Sequence, residues 1–300
     1  MTTMTAPTPT SALPAPSNPG LARRQERSSP LATTALLLGA AYCLLPVVWV
    51  LIASTKSPAQ LFDSFTFAPS THLLENVRAL SGYRDGLYWR WVLNTVLYAG
   101  VGALLSALVS AMAGFALAKF TFPGKTAAFN TLLAGVLVPG VVLAIPQYLL
   151  LAQVGLTNTY WGVLLPSILS PYGIYLARIY TAAAVPDEVV EAARSDGAGS
   201  VRMFVSIVLP MMRSGLVTIF LFQFVAIWNN FMLPYIMLGD DSLFPITVGL
   251  HGLLNQGASQ PALYTVVVTG AMLSIVPLVA LFLSLQRFWQ VDLTAGSVKG

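Results

Sequence analysis

Five stretches of this chain carry no Asp, Glu, Lys or Arg: residues 28–55, 91–118, 126–177, 214–239 and 242–286. A charge at the centre of a membrane helix costs about 2.5–3.5 kcal/mol, and about 20 apolar residues cross the hydrocarbon core, so each run is a candidate span. Apolar residues make up 56% of the chain and charged ones 9%, against roughly a quarter charged in an average soluble domain. The chain therefore reads as an all-α, polytopic membrane protein.

The runs divide into six helices. Residues 31–54 and 91–117 form the first two spans. The 52-residue run 126–177 is too long for one crossing, and a polar hinge at 152–158 containing Gly155 splits it into the third and fourth. Residues 214–239 make the fifth, and a polar connector precedes a sixth at 262–285. Residues 1–30, rich in Thr, Pro, Ala and Ser and lacking an apolar signal core, read as a disordered cytoplasmic tail. Residues 31–287 then form the membrane domain and 288–300 a cytoplasmic tail.

Lys and Arg concentrate on the cytoplasmic side of a membrane protein. With the amino terminus inside, eleven of the fifteen fall inside: Arg23, Arg24, Arg27, Lys119, Lys125, Arg178, Arg194, Arg202, Arg213, Arg287 and Lys299. Lys56, Arg78, Arg84 and Arg90 lie outside, in the long first connector, and both termini are expected in the cytoplasm. The net charge of +4 thus reports topology, with no dense basic patch interleaved with aromatics to hold nucleic acid.

Other chemistry lacks residues. Cys43 is the single cysteine, so no internal disulfide forms. Gly124-Lys125-Thr126 resembles the end of a phosphate-binding loop, but Lys119 stands where the motif needs glycine. His72 and His251 are the two histidines, both in outer connectors, and no span holds an acid, base or metal ligand. An ion-coupled secondary transporter remains an alternative, although proton-coupled ones place an ionisable group near the bilayer middle. In the second span Gly102, Ser106, Ser110 and Gly114 recur every four residues beside Ala103, Ala107 and Ala111, a stripe that lets helices approach closely. It serves packing or a sliding surface. Pro46, Pro139, Pro146, Pro166, Pro171 and Pro277 predict kinked or interrupted spans.

The island of charge at about 182–213 is where function is expected. Pro186 suits a first helical position, and Asp187, Glu188 and Glu191 place negative charge at the positive end of a short helix. Ala192 and Ala193 give it a low profile, Gly197 can end it in the left-handed conformation, and Ser200 can open a second. Phe204, Ile207 and Val208 form a face able to pack under the bundle. Read bare, this is also compatible with an ordinary amphipathic loop.

The segment nevertheless carries Glu191-Ala192-Ala193, then Asp196-Gly197-Ala198, then Ile207 and Leu209-Pro210. In order, spacing and position between helices four and five it resembles the coupling loop of binding-protein-dependent ABC importer permeases. The tail from Gln286-Arg287-Phe288-Trp289 to the end, and Trp228-Asn229-Asn230-Phe231, are similar to the smaller permease subunit of maltose-type carbohydrate importers. Ser195, Ser214, Asn230 and Asp292 depart from the family pattern without removing a coupling residue.

The resemblance implies a type I importer permease fold in a prokaryotic plasma membrane. Its implied partners are a second permease, two ATPase subunits, an extracytoplasmic solute-binding protein and a sugar, maltose-like first. It also implies that Glu191 faces basic groups on the ATPase, that Gly197 makes the bend, and that ATP chemistry resides in the partners, with no cofactor or catalytic residue here. For the path, helix five offers Gln223, Trp228, Asn229 and Asn230, either for sugar hydroxyls or for bonding between helices with Trp228 packed. Tyr172 and Tyr175 on helix four are lesser candidates.

Overall fold

The computed structural model describes residues 30–63 and 67–297. The expected tail over residues 1–30 lies outside them except for Pro30, which opens the first helix. Backbone contacts divide the chain into two units, residues 1–47 and 48–300. The described part of the first is residues 30–47 of α1 (Pro30–Ala53), and every contact below lies within the second.

The described residues contain helices and no strand. Among the described residues four helices are long and apolar enough to cross a bilayer, and up to six crossings result if each of two bent pairs is one span. After α1 come the short α2 (Pro58–Asp63) and α3 (Leu73–Gly82) of the first connector. Helix α4 (Leu87–Lys119) is the second span, longer at both ends than the charge-free run because Arg90 and Lys119 sit at its termini.

The third span is not one helix. α5 (Lys125–Leu137) and α6 (Gly140–Gln153) meet at 107° across Val138 and Pro139. Proline disfavours the helical conformation in the residue before it, and Val138 is accordingly extended, with ψ 121°. The hinge after α6 forms as the sequence predicts, with Gly155 and Asn158 both left-handed at φ 70° and 54°. The fourth span is notched: α7 (Tyr160–Ile168) gives way to α8 (Pro171–Ala184), with Pro171 in the first turn, where its missing N–H costs nothing. It runs past Ala177 to Ala184, and the Arg178 guanidinium within it lies 4.0 Å above the Phe129 ring.

Helices α9 (Asp187–Ser195), α10 (Ser200–Met203) and α11 (Leu209–Met211) follow, α10 and α11 joined by a π-wound turn, Phe204–Val208. The fifth span is shorter than 214–239: α12 (Arg213–Trp228) stops at Asn229, and α13 (Met232–Met237) is separate. Helix α14 (Ile246–Gly257) occupies the connector before the last span, and α15 (Ala262–Ser297) continues well beyond residue 285.

Helix α4 is the axis of the second unit. A Cβ on Gly114 would sit 2.6 Å from the Ala177 backbone of α8, and one on Gly102 would sit 2.9 Å from Ile227 of α12. The small-residue stripe is thus buried in helix packing. At its Leu87 end, four side chains at helical spacing hold the backbone of 241–246. Trp91 Nε1 donates to Asp241 O (2.8 Å), Asn94 Nδ2 to Ser242 O (2.8 Å) and Phe244 O (3.0 Å), Tyr98 to Leu243 O (3.0 Å), and Thr95 Oγ1 accepts from Ile246 N (2.8 Å). Arg84 pairs with Asp241 there, and Asn158 Oδ1 accepts from Gly239 and Asp240 N–H (both 2.9 Å). The Ser242 N–H donates to Asp240 Oδ1 (2.8 Å), which holds that carboxyl below its ordinary pKa. The connectors assigned to one side of the membrane therefore meet at one end of α4.

Candidate functional site

Two regions carry the candidate residues, one at each level of α4. At its Lys119 end lies α9. Pro186 is extended (ψ 149°) just before the helix and not in it, Asp187 and Glu188 occupy the first turn, and Arg194 lies in the last. The Gly197 N–H donates to Arg194 O (3.0 Å) and Ala198 N–H to Ala193 O (2.9 Å), with Gly197 at φ 75°. This pair of bonds satisfies the last carbonyls and turns the chain, which is why glycine stands there.

Glu191 and Ala192 are exposed on α9, as are Asp196 and Gly197 beyond it. Ala193 faces the other way. It is buried with Val190 against Phe115, Phe204 and Met212, so the accessible low-profile face contains Ala192 without Ala193. Phe204 and Val208 are buried in the same cluster and Ile207 packs against it, the face expected from their spacing. Leu209 is half-buried and Pro210 exposed. Because Pro210 has no N–H for a regular helical bond, the preceding turn is wound wider, and Leu209 N–H reaches back to Phe204 O.

Helix α9 is joined to α4 directly. Lys119 Nζ donates to Asp187 Oδ1 at 2.6 Å; the lysine side chain is 7% exposed and the aspartate 76%. Arg194 lies 5.6 Å above the Phe120 ring, and Lys125 Nζ donates to Phe120 O (2.9 Å). These groups and Glu191 border a cleft of about 250 Å³. The Glu191 carboxylate has no hydrogen bond or ion pair among the described residues.

The second region is a cavity of about 660 Å³ where three interruptions converge: Val138–Gly140, the α7–α8 notch and Asn229–Met232. Its polar lining is Gln147, Ser167, Ser170, Gln223, Asn229 and Asn230, and among the described residues no charged side chain lines it. Broken helices are tolerated at membrane depth where freed backbone groups face protein or a water-filled path. Ser170 Oγ accepts from Gly173 N–H (3.0 Å) and from Gln223 Nε2 (2.8 Å), so Gln223 both ties α12 to α8 and borders the cavity. Asn229 Nδ2 donates to Val225 O (2.8 Å), and Asn230 Oδ1 accepts from Leu233 N–H (3.4 Å).

Trp228 is elsewhere. It is 3% exposed and stacked on Phe224 at 5.4 Å, in the core and not at the cavity wall. Tyr172 lies edge-on to Phe222 and Tyr175 stacks on Phe129, both away from the lining. Sequence reasoning missed Gln147, Ser167 and Ser170. The signal was present in Pro139, Pro166 and Pro171, read as kinks without asking which polar residues the kinks would bring together.

The model of the family described as binding-protein-dependent transport system inner membrane component matches residues 107–290, a stretch that contains α9 and the whole cavity lining. The arabinooligosaccharides transport system permease protein AraQ of Halalkalibacterium halodurans is 33% identical over 283 residues, covering 92% of this chain and 100% of that protein. The sn-glycerol-3-phosphate transport system permease protein UgpE of Salmonella typhi is 30% identical over 259 residues, covering 85% and 92%. In fold, the chain is similar to one from the crystal structure of a bacterial ABC transporter involved in the import of the acidic polysaccharide alginate. The TM-score is 0.73 and the identity 22%, with coverage of 88% of this chain and 98% of that one. The chain therefore belongs to the family of binding-protein-dependent transport system inner membrane components, multi-pass permease subunits whose ATP hydrolysis resides in other subunits.

Proposed function

We propose that this chain is one permease subunit of an ATP-driven importer for a neutral di- or oligosaccharide, and that the 660 Å³ cavity is its half of the path. The observation that carries this reading is the lining: amides and hydroxyls from three broken helices, with no ionisable side chain. Each such group contributes about 0.5–1.5 kcal/mol net to a hydrogen bond, enough to solvate a sugar hydroxyl and weak enough to release it. An anion such as glycerol phosphate would find no cation on this side of the path. Maltose-like and arabinose-based oligosaccharides both belong to the favoured class.

The remaining parts of the machine are a second permease, two ATPases and an extracytoplasmic solute-binding protein. Glu191, Ala192, Asp196 and Gly197 form the face that meets an ATPase, while Ala193, Leu209 and Pro210 set the shape of the docking segment. The Lys119 end of α4 and both termini lie in the cytoplasm, and the 239–246 segment lies outside.

Co-purification in gentle detergent identifies the partners. The complex in liposomes, with binding protein and internal ATP, is then offered neutral oligosaccharides, alginate oligosaccharides and glycerol 3-phosphate. ATP-dependent uptake of a neutral sugar is expected. Uptake of anions alone would refute the reading of the cavity, and transport by the isolated chain under an ion gradient would make it a secondary transporter.

A further inference from the structure

We infer that Lys119 is a positioning residue for energy coupling, fastening the docking helix α9 to α4 and making the two move as one body; this rests on the importer function proposed above. In sequence α9 follows α8 and precedes α10, yet its ion pair is with neither. Lys119 ends α4 and Asp187 begins α9, so the negative end of one helix dipole and the positive end of the other each carry the charge they favour. The two charges meet at 2.6 Å. With its side chain 7% exposed, Lys119 is packed beneath α9 and is not a free surface cation. Arg194 over Phe120 supplies a second point of attachment one helix-length away, which resists rotation about the first.

Along α9 the charges thus divide by role. Asp187 is committed to α4, while Glu191, one turn on, is left for a partner surface. A docking helix held only by its flanking chain could tilt without moving the bundle. One joined to a 33-residue helix that crosses the membrane passes its displacement to the far side.

The test uses the complete complex in liposomes and compares basal ATP hydrolysis with hydrolysis stimulated by sugar-loaded binding protein. Lys119→Met preserves the packed stem and removes the charge. The expected result is a normally assembled complex with unchanged basal hydrolysis and a stimulation ratio lowered about tenfold, within the usual range of coupling between sites. Lys119→Arg retains most of the stimulation, and Asp187→Asn lowers the ratio as Lys119→Met does. If Lys119→Met fails to assemble, the ratio in Asp187→Asn decides, since that residue is exposed and its substitution buries nothing. Wild-type stimulation in the variants would overturn the inference alone, as would an equal fall in basal and stimulated rates. A wild-type complex without ATP-dependent uptake would overturn the importer reading first.

Discussion

Glu191 and Ala193 lie two positions apart on one short helix and have opposite surroundings, the first exposed and the second 7% exposed in the core. Helical periodicity accounts for both, since positions two apart point to different sides. Glu191→Ala should therefore leave the amount and thermal stability of the membrane protein unchanged and weaken its association with the ATPase. A lost charge-assisted bond is worth about 1.5–3 kcal/mol, an affinity change readable by pull-down titration. Unchanged affinity and uptake would remove Glu191 from the interface. Gly114 presents the opposite case, because a side chain there would strike the Ala177 backbone at 2.6 Å and backbone cannot step aside. Gly114→Val should destabilise the protein by about 1–3 kcal/mol through overpacking, seen as a lower melting temperature in detergent. Gly124 has open space at its Cβ, so there only its left-handed φ of 81° constrains substitution.

At the scale of elements, α4 is a rod held at both ends. Its Lys119 end meets α9, and its Leu87 end is stitched to 241–246 by Trp91, Asn94, Thr95 and Tyr98. The central member is Asn94, 2% exposed, which donates to two carbonyls and accepts from Tyr160 Oη at 2.9 Å. Asn94→Leu should cost about 1–3 kcal/mol for each buried group left without a partner. Hydrogen exchange over 239–246 should accelerate while exchange in α9 does not. Equal protection in mutant and wild type would show that the neighbouring bonds suffice. None of these pairings was legible from local sequence: those of α4 with 241–246 join residues about 150 positions apart, and Asn94 lies 66 positions from Tyr160 and Lys119 lies 68 from Asp187.

For the whole molecule, the cavity proposed as the path is a property of broken helices brought together. Asn230→Leu, and separately Asn229→Leu, should reduce uptake of the transported sugar several-fold with assembly intact, since each removes about 0.5–1.5 kcal/mol of polar contact. Unaltered uptake across several sugars would assign both residues to helix termination. The sequence by itself determined the membrane class, the approximate place of the long apolar helices, and the helix–bend–helix of residues 187–203. Those follow from the cost of charge in lipid and from local rules for proline, glycine and helix ends, which act within a few residues. Which prolines would break a span outright, where Trp228 would go, and that Lys119 would pair with Asp187 were decided only by the tertiary structure. A break at membrane depth persists only if other segments satisfy the freed backbone, and an ion pair forms only if packing brings two distant helix ends within reach.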